Sequence, residues 1–153
     1  MNYFIFDLDK TLFNINKNKI VNCVSGKLLN ILNKKGKIIL FSNAKYSYCS
    51  YWLDILNIKN YFSVIISSDF INGYKPNPLL YEKINKILGV NNKDKIFFFD
   101  DIQINLDTAK EHLKKKWITI WVNNHSCKKN NIDYNFNNIN NSLEFFLYKY
   151  NYF

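Results

Sequence analysis

Five apolar runs recur along this chain with helical patterns between them, and that alternation leaves few folds open. "NYFIFD" (2–7), "KIILFSN" (37–43), "FSVIIS" (62–67), "KIFFFDD" (95–101) and "WITIWV" (117–122) are continuous in their apolar character. A strand without a polar face has to be covered on both sides. Between the runs, residues 24–32, 46–57, 77–89 and 104–115 read as helices; positions 24, 28, 29, 31 and 32 share one helical face. Gly36 stands just past the first helix, Pro78 near the start of the third and Gly89 at its end, where helices stop and start. Strands alternating with helices build a parallel sheet with helices on both faces. At 153 residues the chain is predicted to be one α/β domain over 1–153, large enough to bury a real core.

The tail is harder to read. "NNHSCKKNNIDYNFNNINNS" (123–142) is rich in Asn, a composition that alone would suit disorder. Yet "DYNF" fits a short last strand, and "SLEFFLYKY" (142–150) carries enough apolar residues to dock as a helix. An ordered tail is predicted.

Composition excludes several classes. No apolar run approaches the ~20 residues of a membrane span, and "MNYFIFDLDK" lacks the basic start and cleavage site of a signal peptide. The expectation is a soluble, cytoplasmic protein without a membrane partner. Cys23, Cys49 and Cys127 are odd in number and widely spaced, which argues against a disulfide framework or a zinc site. His112 and His125 have no partner at metal-ligand spacing and read as surface residues. The net charge is +9, and all 21 cations are lysine. A basic balance suits nucleic acid or another polyanion. The absence of arginine, with abundant Lys, Asn, Ile, Tyr and Phe, points instead to an AT-rich coding sequence, because nucleic-acid surfaces normally exploit arginine's bidentate fork. The "KKK" at 114–116 closes a predicted helix, where cations suit the negative helix end.

Ligands of open α/β sheets bind beyond the carboxyl ends of strands, where strand order reverses. Asp7 and Asp9 follow the first strand, Ser42 and Asn43 the second, and Asp100 and Asp101 the fourth; Lys75, in "GYKPNP", precedes the third helix on the same edge. Acidic residues can simply end a strand and make a turn. Four elements in order at strand ends argue for chemistry. Two close carboxylates repel and raise each other's proton affinity, which a fold tolerates when a cation lies between them or one must hold a proton. Asp7 is the candidate nucleophile toward a phosphoryl group. Asp9 is the candidate general acid and base. Mg²⁺ would cancel charge, held by Asp7 and Asp101 with Asp100 and Asn105 in its outer shell. Ser42, with Asn43 beside it, and Lys75 would bind the phosphate. Thr11 supports the loop.

These motifs resemble those of the haloacid dehalogenase superfamily of phosphohydrolases. "FDLDKTL" resembles its first motif, "FSNA" its second, the lysine of "GYKP" its third and "FFDDIQIN" its fourth; with "DYNFNNINNSLEF" as closing strand and helix, the likeness covers nearly the whole chain. The resemblance implies a Rossmann-like three-layer αβα sandwich and a magnesium-dependent aspartyl-phosphate mechanism. In that scheme Asp7 is nucleophile, Asp9 acid and base, Ser42, Asn43 and Lys75 phosphate ligands, and Asp7, Asp9 and Asp101 the metal set. Asp9 favours a phosphatase over a dehalogenase, since carbon–halogen cleavage needs no acid for its leaving group. The wording is most similar to the pyrimidine 5′-nucleotidase branch, which carries a helical cap between its first two motifs. Here Thr11 and Ser42 are 31 positions apart, room for a flap and one helix. The chain is thus identified as a capless member, with no separate cap domain, and "AKEHLKKKW" lacks the glycine that usually precedes the fifth strand.

Caps close over small substrates and exclude water. An open site suits a phosphorylated macromolecule or a nucleic-acid end, or takes its lid from a second copy of the chain. Phe13, Tyr46 and Tyr74 are candidates to stack a base, though such residues more often pack. The leading expectation is a Mg²⁺-dependent phosphomonoesterase acting on a nucleotide or nucleic-acid-end phosphate. The alternatives are a phosphoprotein phosphatase and a non-catalytic phosphate-binding module.

Overall fold

The computed structural model describes residues 1–113, 117–122 and 131–149. Among the described residues eight strands and six α-helices follow one another: β1 (Asn2–Phe6), β2 (Asn14–Asn16), β3 (Lys19–Val21), α1 (Gly26–Asn33), β4 (Lys37–Phe41), α2 (Tyr46–Ile55), β5 (Phe62–Ile66), α3 (Ser68–Ile71), α4 (Pro78–Leu88), β6 (Lys95–Asp100), α5 (Gln103–His112), β7 (Trp117–Trp121), β8 (Tyr134–Asn135) and α6 (Ile139–Glu144). The central sheet has six strands in the order β5-β4-β1-β6-β7-β8, and every neighbouring pair is parallel. From β1 the chain builds outward through β4 to β5, then crosses back to β6 on the other side of β1. The order therefore reverses between β1 and β6, and the crevice beyond their ends is the natural ligand position.

Successive side chains of a strand point to opposite faces, so each continuous apolar strand feeds two cores. Phe4, Phe6, Ile38, Leu40, Phe97 and Phe99 meet Leu28, Leu29 and Leu32 of α1 and Leu53 of α2 on one face, with Leu143 of α6. Tyr3, Ile5, Ile39, Phe41 and Phe98 meet Leu80, Tyr81 and Ile84 of α4 and Leu106 and Ala109 of α5 on the other. The phenylalanines register across strands. Phe6 stacks on Phe99 at 4.5 Å between centroids and Phe4 on Phe97 at 5.4 Å.

The α4 boundaries follow the expected rules. Asn77 caps its start through the Leu79 N–H with Pro78 in the first turn, and Gly89 ends it at φ +65°. Gly36 ends nothing by left-handed geometry. A Cβ there would lie 2.3 Å from the Asn2 carbonyl oxygen, so it is the close approach of the α1–β4 turn to β1 that requires glycine.

The interval between Leu12 and β4 holds the β2–β3 hairpin, the expected flap, and α1. Its turn residues Lys17 and Asn18 both have positive φ, 47° and 61°, as a two-residue hairpin loop requires. Between Asn43 and Lys75 lie only α2, a 3₁₀ turn, β5 and the one-turn α3. Neither interval carries a cap domain. In the tail, β8 adds to β7 through Ile120 and Trp121. The last helix starts at Ile139, earlier than predicted, and passes into a π turn at Phe145–Lys149. The lysine cluster 114–116, His125, Cys127 and the end of the tail lie outside the described residues. Among the described residues no helix is long and apolar enough to cross a membrane.

Candidate active site

Asp7 leaves β1 with its backbone N–H still donating to the Phe99 carbonyl, so the register that pairs β1 with β6 also places its carboxylate. Asp100 ends β6 and Asp101 follows it. Their carboxylates and that of Asp7 bring oxygen atoms within 4.8 Å of one another. Residues separated by more than ninety positions meet because β1 and β6 are neighbours.

Lys75 is locked among them. Its Nζ donates to Asp7 Oδ1 at 2.6 Å, Asp100 Oδ2 at 2.8 Å and the Phe41 carbonyl at 2.9 Å, which uses all three ammonium donors. Its side chain is 1% exposed and lies against the rings of Phe41 and Phe98. Burial works against the charged form, but Asp100 and Asp7 outweigh it and hold the Lys75 pKa above the usual lysine value. Asn43 fixes the lysine's backbone: its amide oxygen accepts from Lys75 N–H at 2.7 Å and its amide nitrogen donates to the Lys75 carbonyl at 3.1 Å. Asn43, expected beside the phosphate, lines the cleft, and its side chain braces Lys75 because the loop after β4 and the loop before α4 run side by side.

Asp100 is fully buried. Besides Lys75, it accepts from Ile102 N–H at 2.8 Å and from the Asn105 amide at 3.0 and 3.1 Å. Its oxygens are thus already engaged, whereas Asp7 and Asp101 line a cleft of about 310 Å³ with Asp9, Lys10, Ser42, Asn43, Ala44, Lys75, Ile102 and Asn105. Thr11 is buried, with its hydroxyl 3.3 Å from Asp7 Oδ2 and 3.5 Å from Asp101 Oδ1. The Ser42 hydroxyl accepts from Ala44 N–H at 3.1 Å. The Ser42 N–H itself donates to the Ile66 carbonyl in the sheet, so of these two groups it is the hydroxyl that can serve a ligand.

Asp9 stands apart from the other acids. It is exposed, and its Oδ1 accepts from the Tyr48 hydroxyl at 2.8 Å. The converging carboxylates are Asp7, Asp100 and Asp101; of the expected metal set Asp7, Asp9 and Asp101, the Asp9 side chain lies against Tyr48 while still lining the cleft. Asp9 precedes a turn with φ 59° at Lys10, and its side chain meets α2 at Tyr48. Tyr48 was not singled out in the sequence, although it lies in the same helical run as Tyr46. Phe13 proves to be core, 1% exposed and stacked on Trp52 at 4.6 Å; Tyr46 and Tyr74 are exposed.

The electrostatics leave a surplus of negative charge. Burial raises the Asp7 pKa to about 7; Lys75 pulls it down, while Asp100 and Asp101 push it up. Burial, with Asp100 beside it, raises Asp101 to about 6. One ammonium against three carboxylates calls for a shared proton or a divalent cation. The residues fit such a cation: oxygen donors are what Mg²⁺ takes, commonly from one or two carboxylates. Asp7 and Asp101 would hold it from the cleft side, with Asp100 and Asn105 behind.

Residues 17–112 match the model of the haloacid dehalogenase-like hydrolase family, a span that contains Ser42, Lys75, Asp100, Asp101 and three of the six strands of the central sheet. The chain belongs to the haloacid dehalogenase-like hydrolases. No curated protein sequence matches it. Among solved structures, a Thermotoga maritima protein assigned as a beta-phosphoglucomutase superposes with a TM-score of 0.71 at 16% identity, covering 94% of this chain and 99% of the other. A superfamily hydrolase of subfamily IA from Geobacter sulfurreducens gives 0.70 at 11%, covering 94% and 98%. The L-2-haloacid dehalogenase of Xanthobacter autotrophicus gives 0.63 at 15%, covering 78% of this chain but 58% of its own. These likenesses establish the fold of this hydrolase. The family match begins after Asp7 and Asp9, so their placement rests on geometry.

Proposed function

We propose that this hydrolase is a Mg²⁺-dependent phosphomonoesterase working through an aspartyl phosphate. The observation that carries the reading is Asp7: a buried carboxylate at the sheet's reversal point, held by Lys75, beside Asp101 and open to the cleft. Bound Mg²⁺ would offset the charge of an anion meeting a phosphate dianion. In the first step an Asp7 carboxylate oxygen attacks phosphorus and the ester P–O bond breaks. Asp9 gives its proton to the departing oxygen. In the second step a water oxygen attacks phosphorus and Asp9 takes the water's proton. The bond to Asp7 then breaks, which frees inorganic phosphate and restores the carboxylate. Lys75 orients Asp7 and balances charge throughout, and the Ser42 hydroxyl donates to a phosphate oxygen.

The mouth has no cap domain, which favours an extended substrate. Exposed Tyr46 and Tyr74 beside the loops of Ser42 and Lys75 support a nucleotide or a nucleic-acid end, whose bases stack on aromatic faces. A second copy of the chain is the proposed source of any lid. The test is phosphate release with and without Mg²⁺ by wild type and Asp7→Asn, on an aryl phosphate, nucleoside monophosphates, 3′- and 5′-phosphorylated oligonucleotides and a phosphopeptide. Metal-dependent release lost in Asp7→Asn is expected, with oligonucleotides or nucleotides preferred. Release that survives Asp7→Asn would sink the mechanism, and preference for the phosphopeptide would move the substrate assignment.

A further inference from the structure

Beyond its own motif, the candidate acid Asp9 meets a side chain that no sequence motif supplies. Tyr48 lies in the first turn of α2 and donates its hydroxyl proton to Asp9 Oδ1 at 2.8 Å. Both ends of this contact are anchored in one aromatic stack. The Tyr48 ring stands edge-on to Trp52 at 6.3 Å and 63°. Trp52 in turn stacks on Phe13 at 4.6 Å and 29°. Phe13 closes the loop that starts at Asp9, with which it forms an isolated bridge. Both residues are exposed, and the ring contacts restrict where the Tyr48 phenol lies relative to the Asp9 carboxylate.

We propose that Tyr48 is a positioning residue that selects which Asp9 oxygen carries the proton. A protonated carboxyl has one O–H and one carbonyl oxygen. With Oδ1 accepting from Tyr48, the O–H is favoured on Oδ2, the oxygen left for the leaving group, because the carbonyl oxygen of a carboxyl is the better acceptor. In the reverse role the same contact leaves Oδ2 as the oxygen that accepts from water. Without Tyr48, an exposed carboxyl on a turn would rotate, and the proton would sit on either oxygen. The role rests on the phosphatase reading above, because it is defined by a leaving oxygen that needs a proton.

Tyr48→Phe tests it, since the ring keeps its place on Trp52 and only the hydroxyl goes. The readout is kcat/KM, which reports steps through phosphoryl transfer, on two esters: an alkyl phosphate, whose alkoxide needs an acid, and 4-nitrophenyl phosphate, whose phenolate leaves without one. We expect Tyr48→Phe to lower kcat/KM for the alkyl ester roughly 10- to 100-fold, carried by kcat, and for the nitrophenyl ester less than about 3-fold. Asp9→Asn should show the same selectivity, more strongly. Equal losses on both esters, or no loss on the alkyl ester, would overturn the role for Tyr48 while Asp9→Asn selectivity keeps the phosphatase reading standing. Wild type that releases phosphate from neither ester would overturn both together.

Discussion

Replacing Lys75 with methionine should unfold this protein more readily, and more so at high pH. Methionine fills the slot against Phe41 and Phe98 but removes the charge. The ammonium makes three short hydrogen bonds, to Asp7, Asp100 and the Phe41 carbonyl, with a side chain 1% exposed. Breaking a buried pair by removing one partner costs about 3–5 kcal/mol, because the other charge is stranded. Proton uptake limits that cost. Asp7 already has its pKa raised to about 7, and without Lys75 it rises further. A carboxyl raised above its unfolded value binds more protons in the folded state, so stability falls as pH climbs from the ordinary value through the folded one. At pH 6 the stranded Asp7 carboxyl is neutral and the loss sits at the lower end; by pH 8 the variant holds a proton that wild type does not, and the loss grows. Urea unfolding of metal-free wild type and Lys75→Met at both pH values measures this. At this chain length the melting temperature should drop about 2–4 °C for each kcal/mol. A loss under about 1 kcal/mol at pH 8, or one equal at both pH values, would refute the account of Lys75 as counter-ion to two buried carboxylates.

Three further outcomes follow from the same geometry. Mg²⁺ at about 100 times its dissociation constant should stabilise the fold by about 2.7 kcal/mol at pH 8 and much less at pH 5, where Asp7 and Asp101, raised to about 7 and 6, hold protons; thermal melts at the two pH values read this, and equal shifts would contradict it. Asn43→Ala should lower kcat roughly 10-fold with KM near wild type, because the Asn43 side chain holds Lys75; a raised KM with unchanged kcat would assign it to the phosphate. Gly36→Ala should cost about 1–3 kcal/mol, since its Cβ would meet the Asn2 carbonyl at 2.3 Å. Gly89→Ala, at φ +65° with open space around it, should cost about 1 kcal/mol, and urea unfolding that ranks the two the other way would refute this reading.

Much of the architecture was legible because its cause is local. The continuous runs at "YFIF" and "KIFFF" can only belong to strands covered on both faces, and the capping signals at Asn77, Pro78 and Gly89 act within one turn. The elements α1, α2, α4 and α5 accordingly fall within a few residues of their predicted bounds, as do β1 and β4 to β7. What local pattern could not show was α3, too short for periodicity, and the early start of α6, whose Asn-rich first turn carries no apolar stripe. The cap at Asn138 through Asn141 N–H decides that start.

The sequence by itself determined the alternation of strands and helices, the polar residues at strand ends and therefore the edge where a site could form. The tertiary structure decided which of those residues meet. Asp100 faces Lys75 and joins Asp7 and Asp101 because β6 lies beside β1, a pairing across more than ninety residues that no spacing encodes. Asp9, two positions from Asp7, turns away toward Tyr48 of α2. Asn43 braces Lys75 because two loops from different crossovers run together. Strand formation is dictated by a residue's neighbours in sequence, but a site is dictated by its neighbours in space, and those are fixed only when the strand order is.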